Sequence, residues 1–294
     1  MPAPPRLLAL DLDGTLCRRD GSVHPDDRAA IARLQARGVR VCLVTGRLYS
    51  GVRALAEELR IRDPLVCADG AEIVDPASGR VLAHRRLEGE ASRALFGLLA
   101  LRPLDLFLLA QDRLRHDHHG RALARYVRNW TPAILEVEDV RALPHWRGSP
   151  GISIVVAAGS PEQADAAVAA VRADGRFSCD GFAIRLAPGA ADEGLQRGLL
   201  VRAPGVDKGR ALQDLCATVG CDLAEVVAVG DWVNDIPMLR IAGRSFVMGG
   251  AEPEVRAAAH EELTARAWMG GGVAEAAARV WAQESDTGIA VGRG

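Results

Sequence analysis

The chain has 294 residues with a formal net charge of -2 at pH 7, and 49% of its residues are hydrophobic and 25% charged. This composition is typical of a soluble globular protein, and the length allows one large domain or two smaller ones. The near-zero charge leaves no basic surface for nucleic acid, 4% aromatic content argues against base-stacking platforms, and no apolar run reaches the roughly 20 residues of a membrane span.

Cysteine and lysine usage narrow the class further. The six cysteines include no CxxC pair, which argues against a disulfide framework and against structural zinc. The N-terminus reaches Asp11 too early for the apolar region of a signal peptide, so we expect a cytoplasmic protein. Lys208 is the one lysine among 36 basic residues, which indicates a position that requires a compact ammonium group.

The first predicted strand covers the four apolar residues 7–10, a pattern typical of a strand buried on both faces. Asp11 and Asp13 follow it, and strand alternation directs both to the same side with Leu12 turned away. Gly14 then permits a sharp turn. Two carboxylates at a buried strand end favour a cation between them, and Mg²⁺ prefers oxygen ligands.

Two alternatives to a magnesium site share the Asp-x-Asp-Gly pattern. The acids could cap the following segment or lie solvated in a loop, and this motif alone leaves that possibility open. A calcium-binding EF-hand loop would need an acid or Asn at position 15 and Glu at position 22. Thr15 and Ser22 stand there, which excludes it.

Strands and helices alternate up to about residue 82. After the first strand, the predicted elements are a helix at 26–37, a strand at 39–44, a helix at 52–60 and a strand at 65–68. This rhythm predicts an α/β fold with a Rossmann-like, doubly wound parallel sheet.

From about residue 82 the predicted strands are separated by polar turns, which indicates an inserted α+β domain. Its predicted strands are 81–87, 105–110, 133–138, 151–158 and 182–187, and its predicted helices are 90–101, 120–129 and 161–173. Residues 189–195 are predicted to be a loop that returns to the first domain. We therefore predict a core of residues 1–82 and 188–294 and an inserted domain of residues 83–187.

The doubly wound pattern then resumes. The predicted elements are a helix from Lys208 to about 219, a strand at 225–229, a helix to about 242, a strand at 246–248 and helices at 252–259 and 272–283. The Gly-rich residues after about 284 are predicted to be disordered.

Polar side chains follow the predicted parallel strands where those strands end, and Lys208 precedes the helix that leads to the last of them. Ligands bind outside the carboxyl ends of strands in such sheets. Thr45 and Asp231 taken singly could be helix N-caps, and Lys208 a solvated charge. Their common edge favours one site, formed by Asp11, Asp13, Thr45, Asp69, Lys208, Asp231, Asn234 and Asp235.

These motifs resemble those of the haloacid dehalogenase superfamily, which is dominated by Mg²⁺-dependent phosphatases. The resemblance is carried by four segments: Asp11-Leu12-Asp13-Gly14-Thr15, Thr45-Gly46-Arg47, Val206-Asp207-Lys208-Gly209 and Gly230-Asp231-Trp232-Val233-Asn234-Asp235. The insertion between the second and third segments is similar to the Cof-type branch, whose large α/β cap covers the active site.

The resemblance implies a Mg²⁺-dependent phosphatase of a small phosphorylated metabolite, with sugar phosphates among the candidates. It implies that Asp11 is the nucleophile that forms an aspartyl-phosphate, and that Asp13 is the general acid and base. The Asp11 carboxylate, the Asp13 carbonyl and Asp231 would bind Mg²⁺, and Asp235 would support the metal or orient Lys208. The phosphoryl oxygens would be bound by the Leu12 amide, Thr45, the Gly46 amide, Lys208 and Asn234.

Two positions depart from the family pattern. Asp69 stands where the Cof-type branch usually has Asn, and this added negative charge weakens any substrate contact inferred there. Trp232 stands where a small or polar residue is common, and it either narrows the pocket, stacks on a ring or packs beneath the cap. Arg47 is a further candidate for substrate binding, although a surface role is equally compatible with the sequence.

The inserted domain contains a basic stretch that either contacts the leaving group or forms a solvated loop; a histidine metal site is less supported. The stretch comprises Arg113, Arg115, His116, His118, His119 and Arg121.

Functions besides hydrolysis also fit the sequence. A phosphomutase of the same fold fits the motifs, and so does a non-catalytic module that binds or signals through phosphorylated metabolites, although Asp13 disfavours a mere binder. A dehalogenase has no use for Asp13, and a phosphonatase would need a cap lysine that this chain lacks. The expected partner is a small metabolite, without nucleic acid or membrane, and both a monomer and a homodimer fit the sequence.

Overall fold

The computed structural model describes residues 5–124, 127–185 and 195–281. The contacts among them form two compact units. The described residues within Met1–Val44, Leu59–Asp63 and Leu212–Gly294 make the first unit, and those within Thr45–Glu58 and Pro64–Ala211 make the second. The contacts thus group 45–58 and 64–82 with the inserted segment. The predicted domain boundaries remain predictions, and position 188 lies outside the described residues.

The described residues form the following strands and helices. The strands are β1 Leu7–Leu10, β2 Arg40–Leu43, β3 Leu65–Cys67, β4 Glu72–Val74, β5 Val81–His84, β6 Asp105–Ala110, β7 Arg113–His116, β8 Ile134–Glu136, β9 Ile154–Gly159, β10 Ser178–Arg185, β11 Leu195–Arg202, β12 Val226–Gly230, β13 Arg244–Gly249 and β14 Glu261–Arg266. The helices are α1 Pro25–Ala36, α2 Tyr49–Glu58, α3 Gly89–Leu99, α4 Arg121–Ala124, α5 Pro161–Asp174, α6 Lys208–Val219, α7 Ile236–Ile241, α8 Pro253–Arg256 and α9 Gly272–Trp281. None of the helices in these ranges has the length and apolar character needed to cross a bilayer.

The first unit contains a five-stranded sheet in the order β14-β13-β12-β1-β2, with all neighbours parallel. The four residues of β1 are completely buried at the centre of this sheet, as their apolar sequence predicts. Leu10 pairs with Val229 of β12 and with Leu43 of β2, so these three strands end in line. The predicted fold class, with its parallel core sheet, is confirmed.

The structure differs from the prediction at the outermost strand of this sheet. Strand β14 was not predicted, and the helix predicted at 252–259 is reduced to the short helix α8. The sequence Glu-Glu-Leu-Thr-Ala-Arg of β14 buries little besides Leu263, because an edge strand needs to cover the core at few positions. It therefore lacks the apolar run that identifies a central strand.

The second unit contains a six-stranded sheet in the order β10-β11-β9-β6-β7-β8 and a separate three-stranded sheet in the order β3-β4-β5. Strands β6 and β9 are predicted correctly because they are nearly continuous apolar runs. Strands β4, β7 and β11 were missed. For the basic stretch, the solvated-loop alternative is wrong at Arg113–His116, which is a strand that alternates between exposed and buried side chains.

One further helix prediction needs correction, and two other predictions fall on residues that the structure does not describe. The helix predicted at 120–129 begins as a 3-10 turn at His118–Gly120 and continues as α4, and residues 125–126 are not described. The predicted loop at 189–195 also lies outside the described residues except at Leu195, where β11 begins. The predicted tail after residue 284 lies outside them as well.

The β6–β7 turn holds the first turn of α2. Both turn residues, Gln111 and Asp112, have a φ of 54°, which is unfavourable for residues with a side chain. Asp112 Oδ1 accepts hydrogen bonds from the Ser50 amide and the Ser50 hydroxyl, each at 2.9 Å. Because Leu48 has no side-chain acceptor, Asp112 satisfies an amide of this helix end from a distant part of the chain.

We predict that Asp112→Ala lowers the free energy of unfolding by about 1–2 kcal/mol, through loss of the cap and poorer tolerance of the positive φ. Asp112→Asn keeps an oxygen acceptor and tolerates this backbone conformation, so its stability is expected to stay near that of the wild type. Urea unfolding followed by circular dichroism measures both values. Equal losses in the two variants would contradict the capping role.

Candidate active site

Two central strands of the first unit place buried carboxylates at the same sheet edge. Asp11 directly follows β1, and Asp231 directly follows β12, its parallel neighbour. The Asp11 amide donates to the Val229 carbonyl at 3.0 Å, so the pairing of the two strands continues into the site. Both aspartates are almost fully buried, with 5% and 6% of their surfaces exposed.

Asp11 and Asp231 form an acidic cluster with Asp235, and their carboxylate oxygens lie within 4.8 Å of one another. Backbone amides hold part of this cluster, since Asp235 Oδ2 accepts from the amides of Asp231 at 2.9 Å and Trp232 at 3.0 Å. The Thr15 hydroxyl donates to Asp231 Oδ1 at 3.0 Å. Closely spaced buried carboxylates repel one another, and oxygen donors of this kind suit a hard divalent cation. The residues present therefore fit a metal site.

The turn after Asp13 requires a glycine. Gly14 has a φ of +99°, and a Cβ atom built there would lie 2.2 Å from Asp231 Oδ2. The turn is closed by hydrogen bonds to the Leu12 carbonyl from the amides of Thr15, Leu16 and Cys17. Gly14 thus allows the first motif to approach the Asp231 carboxylate closely.

The second unit contains the other two motifs. Thr45 is buried, its Oγ1 accepts from the Arg47 amide at 3.1 Å, and its own amide donates to the Val66 carbonyl at 2.9 Å. Lys208, the one lysine of the chain, begins α6 with 1% of its surface exposed. A buried ammonium at a helix start is costly unless anionic groups approach it, which is consistent with a site for an anion.

Residues 68–70 contact both of these motifs. The Asp69 amide donates to the Thr45 carbonyl at 2.9 Å, and the Ala68 amide donates to the Arg47 carbonyl at 2.8 Å. A Cβ atom on Gly70 would lie 2.4 Å from the carbonyl oxygen of Asp207, the residue before Lys208. The segment therefore lies against Thr45 and Arg47 on one side and against Asp207 on the other.

The remaining predicted residues have varied surroundings. Asp13 and Asn234 are partly exposed, and Leu12 is fully buried. Arg47 Nη1 donates to the Gly51 carbonyl at 3.3 Å, and the Trp232 side chain is 49% exposed. Gly46 is partly exposed, with open space where a side chain would begin. The roles assigned to these residues stay predictions.

Two residues that bind side chains of the candidate site were not proposed as site residues from the sequence. Thr15 belongs to the first motif, and its hydrogen bond to Asp231 becomes visible only when both strand ends are placed together. Arg202 forms a buried ion pair with Asp69. In the sequence, only its position shortly before Lys208 could have indicated a role for Arg202. It ends β11, a strand that the sequence pattern did not predict.

The first unit is thus a parallel α/β domain with a candidate metal site at the carboxyl ends of its strands. The chain matches the model of a haloacid dehalogenase-like hydrolase family over residues 8–141 and 194–276. It therefore belongs to the haloacid dehalogenase superfamily, in its Cof-type branch, and is a hydrolase of the phosphatase class.

Several curated relatives are phosphatases by name. The chain is 27% identical to an HMP-PP phosphatase of Cronobacter sakazakii, covering 86% of this chain and 87% of the relative. It is 23% identical to a 5-amino-6-(5-phospho-D-ribitylamino)uracil phosphatase of Bacillus subtilis, with coverages of 85% and 90%. A pyridoxal phosphate phosphatase of Escherichia coli is 25% identical, with coverages of 87% and 92%.

Solved structures share the fold. A haloacid dehalogenase-like hydrolase from Bacteroides thetaiotaomicron has a TM-score of 0.76 at 24% identity, covering 94% of this chain and 100% of that chain. A protein from Thermotoga maritima has a TM-score of 0.75 at 21% identity, with coverages of 94% and 97%.

We predict that Gly14→Ala destabilises the protein by about 2 kcal/mol or more, because the new Cβ atom meets the Asp231 carboxylate and the backbone has a positive φ. Gly97→Ala is the control, since Gly97 lies in α3 with open space around its Cβ position and is expected to gain stability. Thermal and urea unfolding measure both effects. A Gly14→Ala variant as stable as the wild type would contradict the close packing of this turn.

Proposed function

We propose that this protein is a Mg²⁺-dependent phosphatase that hydrolyses a small phosphorylated metabolite through an aspartyl-phosphate intermediate. The observation that carries the proposal is the cluster of Asp11, Asp231 and Asp235, whose carboxylate oxygens lie within 4.8 Å of one another after two central parallel strands. The curated phosphatases that align with most of the chain support the same class of substrate.

The first unit supplies the metal ligands and the reacting carboxylates. Asp11, the Asp13 carbonyl and Asp231 would hold Mg²⁺, which when bound offsets the negative charge that gathers on the phosphoryl oxygens. Asp235 binds the amides of Asp231 and Trp232 and so orients the loop that carries one of these ligands.

The reaction has two steps. The Asp11 carboxylate attacks phosphorus, the bond from phosphorus to the leaving oxygen breaks, and Asp13 gives its proton to that oxygen. Asp13, now a carboxylate, then accepts a proton from a water molecule as the water oxygen attacks the aspartyl-phosphate. This second step releases inorganic phosphate and regenerates the Asp11 carboxylate.

The phosphoryl group needs donors because its oxygens carry negative charge throughout the reaction. We assign these donors to the Leu12 amide, Thr45, the Gly46 amide, Lys208 and Asn234. The burial of Lys208 supports this role, since a desolvated ammonium interacts strongly with an anion. Such fixed donors stabilise the transferring group without reorganisation.

The organic part of the substrate is less constrained. The relatives act, by name, on HMP-PP, a phosphoribitylaminouracil and pyridoxal phosphate. Arg47 and Trp232 remain predicted substrate contacts, and the exposed Trp232 side chain offers an apolar surface to a ligand. Sugar phosphates, a cytoplasmic location and a monomeric or homodimeric state also remain predictions.

We predict that Asp11→Asn lowers kcat by at least about three orders of magnitude, because the amide is not a nucleophile towards phosphorus. The assay is release of inorganic phosphate from a panel of phosphorylated metabolites, with and without Mg²⁺. Asp26→Asn is the matched control, since that side chain lies on α1 and is 75% exposed. Turnover that survives in Asp11→Asn, or in EDTA, would contradict the proposed function.

We also predict that Thr15→Val weakens Mg²⁺ binding about 10- to 100-fold, because Asp231 loses the hydroxyl that orients it. Thr15→Ser keeps the hydroxyl and is expected to bind Mg²⁺ like the wild type. Isothermal titration calorimetry measures affinity without a substrate. If valine and serine bound Mg²⁺ equally well, the orienting role of this hydrogen bond would be wrong.

A further inference from the structure

The segment that follows β3 has a strained backbone. Ala68, Asp69 and Gly70 have φ values of 50°, 54° and 98°, so two residues with side chains adopt the left-handed region in succession. Such conformations persist where surrounding contacts enforce them, and they concentrate at functional sites. The contacts of this segment therefore indicate which function its strained conformation supports.

Its backbone contacts connect two of the phosphate-binding motifs. The amides of Ala68 and Asp69 donate to the carbonyls of Arg47 and Thr45, at 2.8 and 2.9 Å. Gly70 packs against the backbone of Asp207, and its missing side chain makes this approach possible. A shift of the segment would therefore displace both Thr45 and the start of α6.

The Asp69 side chain is anchored inside the protein. Its carboxylate forms an ion pair with Arg202 at the end of β11, and only 2% and 4% of the two side chains are exposed. The second terminal nitrogen of Arg202 pairs with Asp180, whose side chain is 47% exposed. Burial lowers the pKa of Arg202 to about 10, although the negative charge of Asp207 acts in the opposite direction. Asp69 is thus its buried anionic partner, and Asp180 its exposed one.

We infer that Asp69 is a positioning residue: its buried ion pair with Arg202 holds residues 68–70 in their strained conformation and so fixes Thr45 and Lys208 for binding of the phosphoryl group. The inference rests on the proposed function, in which both residues donate to phosphoryl oxygens. It also explains the departure from the usual Asn. The negative charge at position 69 is directed to an internal guanidinium rather than to the substrate.

The charge of Asp69 is the feature to test. Asparagine has nearly the same shape and tolerates a positive φ, so Asp69→Asn removes the charge while it keeps the backbone conformation accessible. Asp180→Asn is the matched control, because it removes the more exposed carboxylate that pairs with the same guanidinium and lies outside residues 68–70.

Steady-state kinetics and inhibition by inorganic phosphate provide the first measurement. We expect Asp69→Asn to lower kcat/KM about 10- to 100-fold and to raise the inhibition constant of inorganic phosphate about tenfold, because small displacements of binding groups are costly. Asp180→Asn is expected to stay within about threefold of the wild type. Arg202→Lys, which keeps a buried cation but loses the forked geometry, should change both constants in the direction of Asp69→Asn.

Hydrogen exchange followed by mass spectrometry provides a measurement that needs no turnover. We expect faster exchange in two separate segments of Asp69→Asn, residues 45–48 and residues 207–210, and unchanged exchange in Asp180→Asn. A merely local structural role would change one segment only. If the wild type released phosphate from no substrate, the proposed function would fail, while exchange would still decide whether Asp69 joins the two motifs.

Two results would overturn the inference. One is an Asp69→Asn variant with wild-type kinetics and wild-type exchange. The other is a rise in KM confined to some substrates, with the inhibition constant of inorganic phosphate unchanged, which would mean that Asp69 contacts the organic part of the substrate directly.

Discussion

The structure of the site depends on the cost of burying charge. Three carboxylates of the first unit lie within 4.8 Å of one another, and all three residues are at least 94% removed from solvent. Two kinds of neutral donor hold the cluster: backbone amides bind Asp235, and a hydroxyl binds Asp231. Closely spaced acids with oxygen ligands of this kind suit a bound divalent cation.

The second unit also buries charged groups, but these groups are positively charged. It buries two cations, Arg202 and Lys208, close to each other in sequence. Arg202 forms an internal ion pair with Asp69, whereas the proposed role of Lys208 is to bind the phosphoryl group of the substrate. A planar guanidinium suits the fixed pairing inside the protein, and a compact ammonium suits a phosphoryl oxygen. If Lys208 has this role, the division accounts for the single lysine of an arginine-rich chain.

Much of this arrangement could be predicted from sequence because its causes are local. The apolar run of β1, the two acids after it and the glycine turn specify a buried strand that ends in carboxylates suited to a metal ion. Strands β7, β11 and β14 were missed, because their charged or polar residues lie where a strand needs no continuous apolar pattern. The pairing of Asp69 with Arg202 joins distant parts of the chain, and only the three-dimensional fold brings the two side chains together.

The most direct test of this account compares the thermal stability of the wild type and Asp231→Asn with and without Mg²⁺. Asp231→Asn removes one of three closely spaced buried acids, so the account predicts that this variant has a higher Tm than the wild type in EDTA. It also predicts that added Mg²⁺ raises Tm of the wild type and has little effect on the variant, since a metal stabilises only a chain that binds it. An equal rise with Mg²⁺ in both proteins, or none in the wild type, would contradict a metal site built on these carboxylates.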